Sequence, residues 1–283
     1  MISARPRRSA LYMPAANARA MDKARSLACD VVILDLEDAV APEAKDLARD
    51  QAVATVQAGG FGNREVVIRI NGLETPWGAA DLDAAIGARP DAILVPKINQ
   101  PSDLRPYGKA LPSGCSLWAM VETCASLFAL DAIAGAGGPL AVLVMGTNDL
   151  AKEMRARPGV ERHPLTAALN LTVAAARHHG LSVLDGVFND IADADGLARQ
   201  CQQGADFGFD GKTLIHPGQI AAANQAFAPA PEAVDWARQV VAAFDLPESA
   251  GKGVLKLEGR MVERLHLEEA RHLLALAEAI ARV

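Results

Sequence analysis

Hydrophobic positions along the chain follow two alternating patterns. Short continuous apolar runs, several rich in β-branched residues, are separated by stretches in which apolar residues recur every three or four positions. The runs read as strands buried on both faces, as in a parallel sheet, and the periodic stretches as amphipathic helices. Strands are expected at Ser9–Met13, Val31–Leu34, Val66–Ile70, Ala92–Val95, Leu117–Val121, Leu140–Met145 and Ser182–Leu184. An eighth, at Ala205–Gly208, follows mainly from the rhythm of the others. Between them the pattern predicts a helix capped by Asn17, one opened by Pro42 and stopped by Gly59-Gly60, a short one over Asp81–Ile86, and one from Cys124 to Ala134. Leu150–Val160 reads as a loop, Leu165–His179 and Ile191–Gln203 as helices. Eight strands alternating with helices argue for an α/β fold of the (β/α)8 barrel type.

Beyond the eight-fold unit, Ala228-Pro229-Ala230-Pro231 reads as a linker. A helix over Glu232–Phe244, a small hairpin around Glu258-Gly259 and a final amphipathic helix from Leu267 to Ile280 follow. The chain therefore divides into a barrel, residues 1–228, and a C-terminal helical extension, 229–283, expected to cover the mouth or pack on a neighbouring subunit.

The chemistry gathers where strands end. Leu117–Val121 runs into Glu122, and Leu140–Met145 is followed by Gly146-Thr147-Asn148-Asp149. Barrel active sites sit at this C-terminal rim. Either acid alone could cap a helix or pack in a turn. Two acids on adjacent strand ends repel unless a cation lies between them, and hard carboxylate oxygens suit Mg²⁺, which favours the metal reading for the pair. Val31–Leu34 ends in Asp35-Leu36-Glu37-Asp38, either rim acids or a solvated turn before a helix. Arg69 shares a face with Val67; it is either half of a structural ion pair or an anion clamp. Lys97 could bind substrate anions or neutralise these acids. His178 and His179 suit a helix C-terminus, and His216 the cap of a helix opened by Pro217.

Of the 283 residues, 51% are hydrophobic and only 4% aromatic, so the core must be aliphatic. The net charge of −6 argues against a nucleic-acid binder. No apolar run approaches the length of a membrane span, and the N-terminus lacks a signal-peptide core. Cys29, Cys115, Cys124 and Cys201 have no metal-ligand spacing and read as reduced thiols of a cytoplasmic protein. No P-loop or dinucleotide fingerprint is present.

Several stretches together resemble the citrate lyase β-subunit-like proteins, a branch of the HpcH/HpaI aldolase superfamily of CoA-ester lyases. They are Arg8-Ser9-Ala10-Leu11-Tyr12-Met13-Pro14, Leu34-Asp35-Leu36-Glu37-Asp38-Ala39-Val40, Val67-Ile68-Arg69-Ile70-Asn71, Pro96-Lys97, Val121-Glu122-Thr123, Gly146-Thr147-Asn148-Asp149-Leu150, and Gly208-Phe209-Asp210-Gly211-Lys212 through Ile215-His216-Pro217. The resemblance implies Mg²⁺ held at Glu122 and Asp149, Arg69 on the oxo-acid and the reacting oxygen, and Glu37 and Asp38 holding metal-bound waters or substrate. The family's C-terminal Gly-Lys-Met-Ile-Asp stands here as Gly259-Arg260-Met261-Val262-Glu263. Its acid, supplied by a neighbouring subunit, handles the proton on the acetyl carbon; here it is a glutamate, one methylene longer. The implied activity is Mg²⁺-dependent cleavage or formation of a 3-hydroxyacyl-CoA such as malyl-, citramalyl- or citryl-CoA, with an acyl-CoA and glyoxylate, pyruvate or oxaloacetate as the other side. A homo-oligomer, trimer or hexamer, is implied with it. The alternatives are a citrate lyase β subunit acting on an acyl-carrier-protein thioester, a malyl-CoA thioesterase variant of the fold, and a barrel kept as a binding scaffold, against which the retained acid pair counts.

Overall fold

A computed structural model describes residues 5–249 and 251–282. Eight parallel strands close into a barrel in chain order: β1 Ser9–Pro14, β2 Val31–Asp35, β3 Glu65–Arg69, β4 Ala92–Val95, β5 Ser116–Val121, β6 Leu140–Met145, β7 Ser182–Asp185 and β8 Gly211–Leu214, with β8 pairing back to β1. A helical segment follows each strand, as the parallel connection requires.

Side chains alternate along each strand, so one set fills the barrel and the other lies under the helices. Ala10, Val31, Ile33, Val67, Ala92, Leu94, Trp118, Met120, Val142, Val144 and Leu184 form the inner cluster. The interior carries the large ring of Trp118, with Tyr12 packed against the cluster, among mostly small and aliphatic residues, as an aromatic-poor composition dictates. Arg7 lies 5.3 Å from the Trp118 ring centroid and pairs with Glu65 at 2.6 Å and Ser182 at 3.0 Å. Glu65 and Ser182 start β3 and β7, so this buried cluster closes the barrel end opposite the C-terminal rim.

Asn17 caps its helix and His216 caps the turn opened by Pro217, as expected. Three expectations fail. Ala205–Gly208 is no strand: residues 205–207 complete the helix Ala194–Phe207, which Gly208 ends in the left-handed region at φ 93°. The eighth strand is Gly211–Leu214, which lacks an apolar run because it carries Lys212. That lysine is fully buried and donates to Asp185 at 2.8 Å and to the Gln200 side chain at 3.2 Å. Leu150–Val160 is not all loop, since Leu150 lies within the helix Thr147–Glu153. Cys124–Ala134 is two short helices, Cys124–Phe128 and Leu130–Ala134, divided at Ala129.

The second compact unit runs from Ala228 onward. Helices Pro231–Asp245 and Arg264–Ile280 pack around a hairpin of β9 Val254–Leu257 and β10 Arg260–Glu263. Its own small core comprises Ala237, Val240, Phe244, Val262, Leu267 and Ala270. Glu258 (φ 48°) and Gly259 (φ 80°) form the two-residue turn, the backbone twist that a tight hairpin needs.

Candidate active site

The period-2 alternation that fills the barrel continues to its C-terminal rim. Val31 and Ile33 point inward, and so does Asp35; Val67 is followed by Arg69, and Trp118 and Met120 by Glu122. Strand register sets Asp35 directly beside Arg69. The two form a bidentate pair, Nε to Oδ1 at 2.7 Å and Nη2 to Oδ2 at 2.6 Å, with both side chains buried. Nη1 is left facing Glu37 Oε2 at 2.8 Å and Asp38 Oδ2 at 3.3 Å. The guanidinium stacks 4.7 Å from the Tyr12 ring, whose hydroxyl donates to the Met120 sulfur at 3.7 Å.

The turn carrying Glu37 and Asp38 is tied down from both sides. The Asp35 carboxylate accepts the Glu37 and Ala39 N–H groups at 2.9 and 3.1 Å. Lys45, buried, donates to the Leu36 and Glu37 carbonyls, each at 2.7 Å, and to Asn71 at 2.9 Å. Asn71 is held in turn by Asp81, at 2.6 Å.

Glu122 does not cap the following helix; Thr123 does, accepting from Ser126 N–H. The Glu122 carboxylate turns into the barrel mouth and accepts the Lys97 backbone N–H at 2.7 Å. Lys97 holds the left-handed conformation, φ 53°, that aims this N–H. Its ammonium stands 3.8 Å from Asp149, in the first turn of Thr147–Glu153, and so neutralises a rim acid. Asp149, Glu122, Arg69 and Asp38 line one cavity of about 260 Å³ together with Asp35, Tyr12, Asn148 and Thr213. Glu37 joins this group through Arg69.

Gly146 makes the arrangement possible. A Cβ there would stand 2.4 Å from both the Glu122 Cβ and Oε2. Gly146→Ala should therefore displace the Glu122 carboxylate and lower kcat by about 10²-fold, the scale set by an ångström of misplacement. A variant that turns over like wild type, with a crystal structure showing Glu122 unmoved, would refute this role.

Burial raises the Glu122 carboxyl to about 7, against the pull of the Lys97 N–H and Arg69, and Asp149 pushes it further up. Burial likewise raises Glu37 to about 8 despite Arg69, with Asp38 and Glu122 adding repulsion. Glu37 Oε2 is buried with no hydrogen bond, although Arg69 is near. A cluster of carboxylates offering only hard oxygen donors fits a divalent cation such as Mg²⁺, and Glu122 and Asp149, lining the same cavity, are the two that could hold it.

The sequence shows Asp35 only as one of three clustered acids, and it gives no sign of the parts Tyr12, Lys45 and Gly146 take in the site. Strand parity alone could have found Asp35; nothing local marks the other three. Glu263 belongs to the second unit, where it ends β10, half-buried, its N–H donating to His266 Nδ1 at 2.9 Å.

A parallel barrel with an arginine and a group of acids at its C-terminal mouth carries polar chemistry at the rim where barrel enzymes place their active sites. Residues 8–217 match the family model described as HpcH/HpaI aldolase/citrate lyase. The chain belongs to that family. It is 47% identical to a (3S)-malyl-CoA thioesterase of Cereibacter sphaeroides over 98% of this chain and 97% of that protein. It is 32% identical to the mitochondrial citramalyl-CoA lyase of Mus musculus, covering 97% and 87%. Among solved structures it is similar to the protein CitE from Mycobacterium tuberculosis in complex with magnesium, acetoacetate and coenzyme A, with a TM-score of 0.77 and 30% identity over 98% of this chain and 100% of that one.

Proposed function

We propose that the chain acts on the CoA thioester of a short 3-hydroxy dicarboxylic acid of the malyl type and breaks its carbon–carbon bond, yielding an acyl-CoA and a 2-oxo acid. The observation that carries this reading is the convergence on one cavity of the acids Glu122 and Asp149 with the donor face of Arg69. Relatives act on malyl-CoA and citramalyl-CoA, and CitE was crystallised with magnesium and coenzyme A. A cavity of about 260 Å³ suits the small acid half, with the CoA chain running outward.

Glu122 and Asp149 would hold Mg²⁺, which as a Lewis acid polarises the hydroxyl oxygen destined to become the carbonyl of the oxo acid. Asp35 occupies two donors of Arg69 and fixes its plane, and the third, Nη1, shared with Glu37 and Asp38, turns to substrate when substrate displaces those acids. The substrate hydroxyl gives its proton to a rim carboxylate as it becomes the carbonyl; as the carbon–carbon bond breaks, its electron pair moves onto the thioester as an enolate, and a preset donor there lowers the barrier. Lys97 adds positive charge at the rim for the substrate carboxylate. The enolate carbon then takes a proton, for which Glu263 is the acid, reaching the site from a neighbouring chain of a homo-oligomer.

Mixing Glu263→Gln with Glu122→Gln subunits tests that last assignment. Each homo-oligomer is inactive alone; hybrids contain sites with both groups intact and regain part of the activity. Hybrids verified to have formed but without activity would remove Glu263 from the shared site.

Hydrolysis of the same thioester is a second reading, favoured by the 47% identity to a malyl-CoA thioesterase. Incubating the chain with malyl-CoA and Mg²⁺ separates the two. Glyoxylate with acetyl-CoA supports cleavage; malate with free CoA and no glyoxylate supports hydrolysis. Turnover of neither malyl- nor citramalyl-CoA would overturn the substrate class.

A further inference from the structure

The geometry points to a second metal site, for a borderline cation of the Zn²⁺ class, made by Asp131, His178 and His179 at the end of the barrel away from the acid cavity. His178 ends the helix Thr166–His178 and His179 is its C-cap, two residues before the chain enters Leu181 and β7. The site therefore lies near the strands' N-terminal ends, whereas the cavity lies at their C-terminal ends. Asp131 comes from another element, the short helix Leu130–Ala134.

One ligand atom from each of the three lies within 4.8 Å of the others. His179 Nε2 is 2.9 Å from Asp131 Oδ1, and the two imidazole rings meet edge to face with centroids 4.6 Å apart. This convergence is built rather than incidental on one count: Gly135 makes space for the His179 ring. A Cβ at that position would stand 2.8 Å from His179 Cε1 and 3.2 Å from Nε2. Neighbouring Arg177 is turned away and held by Asp210 at 2.7 Å, so it does not occupy the carboxylate. A helix C-terminus favours positive charge, but that accounts for one histidine near the axis and not for two rings aimed at one acid.

The chemistry selects the ion. Two imidazoles and one carboxylate suit Zn²⁺ or Co²⁺ and are poor for Mg²⁺, which prefers oxygen. Tetrahedral Zn²⁺ with bonds near 2.1 Å needs ligand atoms about 3.4 Å apart, which small rotations of the exposed Asp131 and His178 side chains would reach. Three protein ligands leave the fourth position to water. Bound there, the ion would clip the helical segments that follow β5 and β6, the strands leading to Glu122 and Asp149.

Titration of the full chain with Zn²⁺ by calorimetry, under saturating Mg²⁺ to keep the acid cavity filled, tests this. One Zn²⁺ per chain should bind and raise Tm, and Co²⁺ in its place should show the visible absorption of a four-coordinate nitrogen–oxygen site. His178→Gln and His179→Gln should each weaken binding by at least about 10-fold, the low end of what losing even an outer partner of a ligand costs. Both should retain Mg²⁺-dependent turnover, and Glu122→Gln should bind Zn²⁺ here as wild type does. Zn²⁺ binding undiminished in the double variant His178→Gln/His179→Gln, or absent from wild type under excess Mg²⁺, would overturn the proposal.

Discussion

Glu122→Gln is expected to fold and to lose turnover by about 10³-fold or more. The amide keeps the size of the side chain and an oxygen for the Lys97 N–H, so the rim keeps its shape. What is lost is the charge that binds a cation, and Lewis-acid stabilisation is worth several kcal/mol, about tenfold in rate for each 1.4. The same substitution should change the metal-free protein's response to pH. Glu122 has its carboxyl raised from 4.5 to about 7 and Glu37 from 4.5 to about 8. Between those limits the folded chain holds protons that the unfolded chain has released, so without metal stability falls as pH rises from about 4.5 through 7 and 8. Glu122→Gln removes the Glu122 part of that fall. Its metal-free Tm should match wild type near pH 4 and exceed it at pH 8. Mg²⁺ binds the ionised carboxylates, so its binding to wild type should release protons at pH 6 and tighten as pH rises, with no release at pH 9. Calorimetry in buffers of different ionisation enthalpy reads this directly. Proton-independent Mg²⁺ binding at pH 6, or full turnover in excess EDTA, would remove the cation from these acids.

Arg69→Lys is expected to lower kcat by about 10²–10³-fold with a much smaller change in KM. Lysine keeps the charge but cannot bind Asp35 through two parallel donors while presenting a third to substrate. The rate cost is that of losing one preset donor to a developing oxyanion. Because the interaction strengthens as charge develops on the thioester oxygen, the loss belongs in kcat. Asp35→Asn separates clamp from scaffold: it keeps the guanidinium but loosens its plane, so kcat should fall less than in Arg69→Lys. Wild-type kcat in Arg69→Lys would leave Arg69 only the structural half of the pair with Asp35.

Seven of the eight strands, most helix positions and the acids at the strand ends are legible in the one-dimensional pattern. Apolar periodicity is a local property, and a strand buried on both faces has little choice but an unbroken apolar run. The same periodicity, carried to the C-terminal ends of the strands, aims Asp35, Arg69 and Glu122 inward. The eighth strand was hidden because its Lys212 contradicts that rule. The cost of burying the ammonium is offset by Asp185 and Gln200, residues 27 and 12 positions away that no local window reads. The helix at Thr147–Glu153 was hidden for a related reason: Asn148 and Asp149 look like turn residues, yet they sit in a first turn, where an acid is favourable.

By itself, then, the sequence determined the strand–helix rhythm, the rim positions of the acids, and the family to which their order and spacing point. Tertiary structure alone decided which acid does what. Asp35 alone of the three clustered acids holds Arg69 through two parallel bonds, while Glu37 and Asp38 share its third donor, because strand register sets Asp35 and Arg69 side by side across 34 positions of chain. Lys97 serves Glu122 with its backbone and Asp149 with its ammonium, Lys45 anchors the acid turn, and Gly146 leaves the space Glu122 fills. Each of these depends on which strand neighbours which and at what register. Closure of the barrel sets both, and a charge placed on one strand carries no mark of the partner that closure will bring beside it.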